Sequence, residues 1–196
     1  MKMAKSGLLM GFIPLIAFGI VSSIPDINPI IAPGVALVLA VVTGITDLKN
    51  RMILPWASVV IFGVLVGIAS ISNSQHVLSS GIIVNTGLAI IAFGSMLAGI
   101  PFTVQYARQM TEPSVWNTPV FLRVNTFMTG VWGAVFSIDA VLYAVPLAID
   151  GVPSSVILAL AYGVLACGII FTLWYPGYIR KRIAGSPQSA SLNAHN

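Results

Sequence analysis

The chain has 196 residues, 57% of them hydrophobic and only 7% charged, against roughly 25% charged in a soluble domain. Mean hydropathy is +0.97, so much of the surface must face something other than water. The net charge of +4 comes without a basic stripe or RNA-binding pattern, which excludes nucleic acid as a partner and leaves the basic residues as topology signals.

Six apolar segments follow one another, over roughly 7–24, 30–46, 54–73, 79–100, 119–149 and 153–175. A helix needs about 20 such residues to cross a bilayer, whereas barrel strands are about 10 long and alternate in polarity. These runs are longer and do not alternate. The predicted fold is therefore an all-α six-transmembrane-helix bundle, a single integral domain over 1–182 followed by a small polar tail, 183–196, that reads as disordered.

The first segment, "MKMAKSGLLMGFIPLIAFGIVSS", also has the outline of a signal peptide, with a basic start, an apolar core and small residues at its end. Cleavage after Ser23 would leave five spans. Retention leaves six, and six crossings starting from inside put Lys2, Lys5, Lys49, Arg51, Arg108, Arg123, Arg180, Lys181 and Arg182 all on the cytoplasmic side. The outer loops 24–30, 73–79 and 149–153 then hold Asp26, His76 and Asp150 and no Lys or Arg. This distribution meets the positive-inside rule and places both termini in the cytoplasm.

Between the second and third segments runs "TDLKNRMILP", 46–55. It resembles the first aspartate motif of type IV prepilin peptidases, in which an Asp at a helix end precedes a basic turn and an Ile-Pro pair. Those enzymes use a second aspartate in a Gly-x-Gly-Asp setting, which this chain lacks, so Asp47 reads as a loop residue. Small residues recur four apart at Gly63 and Gly67, Gly94 and Ala98, Ser95 and Gly99, and Ala159 and Gly163. Such faces let helices approach closely, within the bundle, against another membrane protein or in a homo-oligomer.

The stretch "GIPFTVQYARQMTEPSVWNTPVFLRVNTF", 99–127, is polar, aromatic and punctuated by prolines. Pro101 is expected to end or kink the fourth helix, and residues 102–110 to form a short helix carrying Phe102, Tyr106 and Met110 on one side. Beside a bilayer, that stripe suggests an interfacial re-entry segment facing lipid. Trp116 suits the interface, Arg108 and Arg123 suit lipid phosphates or plain topology anchoring, and Thr118-Pro119 reads as N-cap and N1 of the fifth helix.

Asp139, in "GAVFSIDAVLYAV", lies about 15 Å from the outer end of that helix, near the midplane, where a carboxylate is expensive. Asn125, Trp132, Asp139 and Pro146 recur at sevens, flanked by Phe136 and Tyr143. Tyr162 on the sixth helix is equally deep and is the expected hydrogen-bond partner of Asp139. Asn85 and Thr86 lie nearer the outside. The carboxyl suits either proton or cation coupling or a buried interhelical hydrogen bond. The single Cys167 forms no internal disulfide, and His76 and His195 have no ligand-spaced companions, so neither a structural metal site nor another bound cofactor is expected. No Walker, G-x-S-x-G or H-E-x-x-H pattern occurs. One deep carboxylate falls short of paired acid and base roles, which inclines the reading away from an enzyme.

Taken together, "GFIPLIAFGIV", the basic turn "DLKNRM", "IFGVLVG", the Pro101-to-Trp116 loop and "FLRVNTFMTGVWGAVF" resemble the intracellular septation protein A family and related multi-pass inner-membrane proteins. The likeness runs over about residues 8–145 and is most specific from Trp116 to Phe136. It implies a small protein of the bacterial inner (cytoplasmic) membrane, linked to cell-envelope integrity and to division and elongation machinery, without established catalysis. The family carries an Asn at the place of Asp139. The expected function is thus a non-enzymatic envelope protein acting through helix or lipid contacts. A transporter-like protein moving a small solute or protons past Asp139 is the alternative.

The topology can be checked by cysteine accessibility. A cysteine at position 74 should react from outside the cell and one at position 186 only after permeabilisation. Labelling of position 186 from outside would overturn the orientation.

Overall fold

The structure, a computed structural model, describes residues 10–71 and 77–184. Its helices are α1 (Ile13–Ser22), α2 (Ile31–Lys49), α3 (Ile53–Ile71), α4 (Val77–Leu97), α5 (Phe102–Arg108), α6 (Pro119–Ala148) and α7 (Ser154–Ala184), with one 3-10 turn at Pro113–Val115 and no strand among the described residues. Five of them, α2, α3, α4, α6 and α7, are long and apolar enough to cross a membrane. The first expected span contributes only the ten-residue α1, and its predicted beginning, both chain termini and the labelling positions 74 and 186 lie outside the described residues. Exposed Val38, Val42, Val60, Ile90, Val141 and Ile170 cover the outside of these helices, as expected where the surrounding medium is hydrocarbon.

Consecutive long helices run antiparallel, and side-chain contacts fix their register. On the α4–α6 pair, Gly81 meets the Tyr143 ring and Gly133 meets Phe93. A Cβ on Gly133 would come within 2.7 Å of the Phe93 ring, and one on Gly81 within 2.6 Å of Tyr143. These two glycines let the helices touch where any larger residue would hold them apart. On the α6–α7 pair, Gly168 lies against Trp132, and Phe127 packs on Phe171 and Tyr175. α1 is built into the core through Phe12, 2% exposed, which stacks on Trp132 at 4.1 Å between centroids, and through Phe18 against Phe62.

The turns hold two helix endings that the sequence reading assigned differently or left open. α4 is stopped by Gly99 rather than by Pro101. Gly99 has φ +74°, its N–H donates to the Met96 carbonyl at 3.0 Å, and the Ile100 N–H donates to the Ser95 carbonyl at 2.9 Å. This is a Schellman ending, which the missing Cβ of glycine permits at no steric cost. α2 ends in the same way at Arg51, φ 55°, with Arg51 N–H donating to Leu48 and Met52 N–H to Asp47. A residue with a Cβ is strained there, by about 1 kcal/mol or more.

Two substitutions test this packing. Gly133→Leu should lower stability by about 1–3 kcal/mol through overpacking against Phe93. Arg51→Gly should be neutral to stabilising, by up to about 1 kcal/mol. Thermal unfolding in detergent reads both.

Candidate functional site

Two polar constellations lie inside the bundle, one around α5 and one around Asp139.

α5 is a seven-residue helix, too short to cross anything. Its apolar stripe does not face lipid as expected. Phe102 is 0% and Tyr106 1% exposed, both turned into the protein, while Met110 remains outside. The reason is polar rather than apolar. A short helix with a buried N-terminal turn needs partners for its N–H groups, and neighbouring helices supply them. The Ser95 hydroxyl accepts from Phe102 N–H at 3.2 Å, and the Thr129 hydroxyl accepts from Thr103 N–H at 3.4 Å. Thr103 Oγ1 donates to the Asn125 carbonyl at 2.8 Å and lies 2.8 Å from Thr129 Oγ1, which can then donate to it. Spacing at i, i+4 shows that Phe102 and Tyr106 share a face. It cannot show whether that face meets lipid or protein, because both are apolar.

From the other side of α5, Gln105 Oε1 accepts from Ile53 N–H at 2.8 Å, capping the start of α3. Gln109 reaches Met52 Sδ at 3.4 Å and also hydrogen-bonds the Asp47 side chain. α5 therefore ties the α2–α3 turn to α4 and α6. Asp47, the residue of the peptidase-like motif, is absorbed into this tie. Among the described residues the buried Tyr106 hydroxyl has no hydrogen-bond partner. Burial first, and the nearby Asp47 charge second, push its phenol well above the usual range.

Beyond α5 the loop folds back on itself. Trp116 Nε1 donates to the Thr111 carbonyl at 3.1 Å, and the Arg108 guanidinium stands 5.4 Å from the centre of the Trp116 ring. Thr118 caps α6 as predicted, its hydroxyl accepting from Phe121 N–H at 3.3 Å with Pro119 following. Arg123 is exposed near the start of α6.

The second constellation is only partly the one expected. Asp139 is 4% exposed and its Oδ1 has no hydrogen-bond partner among the described residues. Asn85 is 3% exposed; its Nδ2 donates to the Gly81 carbonyl at 3.0 Å, and its Oδ1 is likewise without a partner among the described residues. The Gly81–Tyr143 and Phe93–Gly133 contacts set Asn85 level with Asp139 across the α4–α6 seam. Tyr143 lies within electrostatic range of both Tyr162 and Asp139. Tyr162 does not bond Asp139, however. Its hydroxyl reaches past to α1 and donates to the Ile16 carbonyl at 2.9 Å, beside Gly19, whose missing side chain leaves the room.

Asn125 belongs to the α5 constellation, not to this one. Its Nδ2 donates to Phe121 O, and its carbonyl receives Thr103. A small cavity of about 10 Å³ lies among α1, α3 and α4, lined by Phe12, Leu54, Ser58, Phe62, Val84 and Leu88. It has room for about one water, and Asp139 does not line it. Sequence reasoning missed Thr103, Thr129, Ser95 and Gln105. The only signal for them is that small hydroxyl and amide residues recur on either side of a helix too short to span.

Comparison with known proteins gives no matching family model, no matching curated protein and no matching solved structure.

The orphan phenol makes a sharp prediction. Tyr106→Phe should change stability by no more than about 0.5 kcal/mol, since no bond is lost, whereas Tyr106→Ala should cost about 3–5 kcal/mol through the cavity it leaves. The folded-state value of the phenol lies above its unfolded one. The stabilisation is therefore complete below about pH 10 and lost as the pH rises beyond it. Tyr106→Phe should remove that part of the alkaline loss of stability, read by thermal unfolding between neutral and alkaline pH.

Proposed function

We propose that the protein is a non-enzymatic multi-pass component of the bacterial inner membrane, of the cell-envelope and septation type that the Trp116-to-Phe136 segment resembles, and that it works through helix and lipid contacts at its basic end. The observation that carries this reading is the use made of the buried polar groups around α5. Ser95, Thr103, Gln105 and Thr129 are engaged in joining α3, α4 and α6 to the short helix rather than in lining an open chamber. A rigid inner platform of this kind suits a protein that presents a surface.

Asp139 favours a second reading. Its unpaired oxygen faces the same level as the unpaired oxygen of Asn85, and acceptors left without donors invite a proton or a cation. On this reading the protein is transporter-like and moves a small solute or protons past Asp139.

Asp139 separates the two. In the envelope reading, Asp139→Asn should keep both stability and function, and Asp139→Leu should change stability by no more than about 2 kcal/mol. In the transport reading, Asp139→Asn should abolish function with stability intact. Cell length and envelope integrity of a deletion strain complemented with each variant supply the functional measurement, and thermal unfolding the other. Wild-type cell shape in the deletion strain, together with ion or solute flux in proteoliposomes, would sink the envelope reading.

A further inference from the structure

We propose that Arg108, held over the Trp116 ring, is a receptor for the phosphodiester group of an anionic lipid in the headgroup layer. This rests on the membrane placement and lipid contacts of the proposed function and names the ligand and the residues.

The clamp is held from behind. Thr111 Oγ1 donates to the Ala107 carbonyl at 2.8 Å, and the Thr111 carbonyl in turn receives the Trp116 indole. The Trp116 ring is thus fixed to the last turn of α5, the helix that carries Arg108. α5 is itself bonded to α3, α4 and α6. The guanidinium therefore meets a ligand from a positioned ring rather than from a mobile stem, which lowers the ordering cost of binding. A contact through the π face of the ring uses the charge of the guanidinium and takes up none of its N–H donors in a hydrogen bond to the ring edge. Arg108 is exposed, and among the described residues it forms no ion pair, even with Glu112 four positions on. A planar fork of donors fits two oxygens of one phosphate, which an ammonium cannot match.

The surroundings select a lipid over a free anion. Met110, Val115 and Val120 are exposed in the same loop and at the start of α6, where they can meet acyl chains but gain nothing from hydrated phosphate. Exposed Trp56, Trp174 and Tyr178 stand at the same end of the bundle, the arrangement of an aromatic belt at headgroup depth. Lys49, Arg51, Arg123, Arg180, Lys181 and Arg182 are exposed there too. The Gln105–Ile53 bond brings the α2–α3 turn to α5, and the Phe127–Tyr175 contact brings the end of α7 to the start of α6. This positive field draws anionic headgroups within a screening length, while the Arg108–Trp116 pair supplies the fitted contact.

The test uses the full-length protein purified in a neutral detergent, with thermal unfolding followed as phosphatidylglycerol, phosphatidylcholine or inorganic phosphate is added. Wild type should be stabilised by phosphatidylglycerol and not by the other two, with the effect fading as salt rises. Arg108→Ala, Arg108→Lys and Trp116→Leu should each lose most of the phosphatidylglycerol effect. Arg108→Ala and Arg108→Lys alter an exposed side chain, so their midpoints without lipid should match wild type and keep the test valid should Trp116→Leu fail to fold. Equal stabilisation by phosphatidylcholine, an equal effect of inorganic phosphate, or a full phosphatidylglycerol effect in Arg108→Ala would overturn the proposal. Cell length and envelope integrity are read separately in the deletion strain, so a failed clamp is distinguishable from a failed envelope function.

Discussion

The structure depends on how a helix too short to cross a membrane satisfies its backbone once it is turned into the protein. α5 buries Phe102, Thr103 and Val104 and cannot leave its first N–H groups bare there. Ser95 and Thr129 take those N–H groups, and Thr103 anchors the helix to the Asn125 carbonyl. Once α5 is fixed in this way, Gln105 is in place to cap α3 and Gln109 to hold the α2–α3 turn. Each such bond is worth only about 0.6–1.7 kcal/mol in a membrane protein. Their effect is to set one arrangement of four helix ends, which apolar contacts alone would leave free to slide.

The same logic separates the two halves of the bundle. At the basic end Ser95, Thr103, Gln105 and Thr129 are all engaged, and among the described residues the Tyr106 hydroxyl is the buried exception. Around Asp139 the balance is different, because Asp139 and Asn85 each keep a buried oxygen without a donor. The glycines that bring α4 and α6 together, Gly81 and Gly133, lie on either side of this level. Loss of polar partners is costly in a low-dielectric interior.

The clamp at Arg108 follows from the platform. Trp116 would be an ordinary interfacial aromatic if the loop were free, but Thr111 ties it back to α5. Stability and lipid recognition are thus coupled through one short helix, and loosening α5 would weaken both.

The sequence by itself determined the helical class, the presence of helices long and apolar enough to cross a membrane, and the cap at Thr118-Pro119. These follow from apolar length, the backbone's need for internal hydrogen bonds and the 1.5 Å rise of a helix, all of which are local. Only the tertiary structure decided which way the Phe102–Tyr106 face turns, that Tyr162 bonds the Ile16 carbonyl rather than Asp139, and that Asn125 serves α5 instead of the deep carboxyl. It also decided that Gly99, not Pro101, stops α4. An apolar face looks the same against lipid as against protein, and a long polar side chain can choose among partners on several helices. The choice belongs to whichever neighbour brings its acceptor within reach.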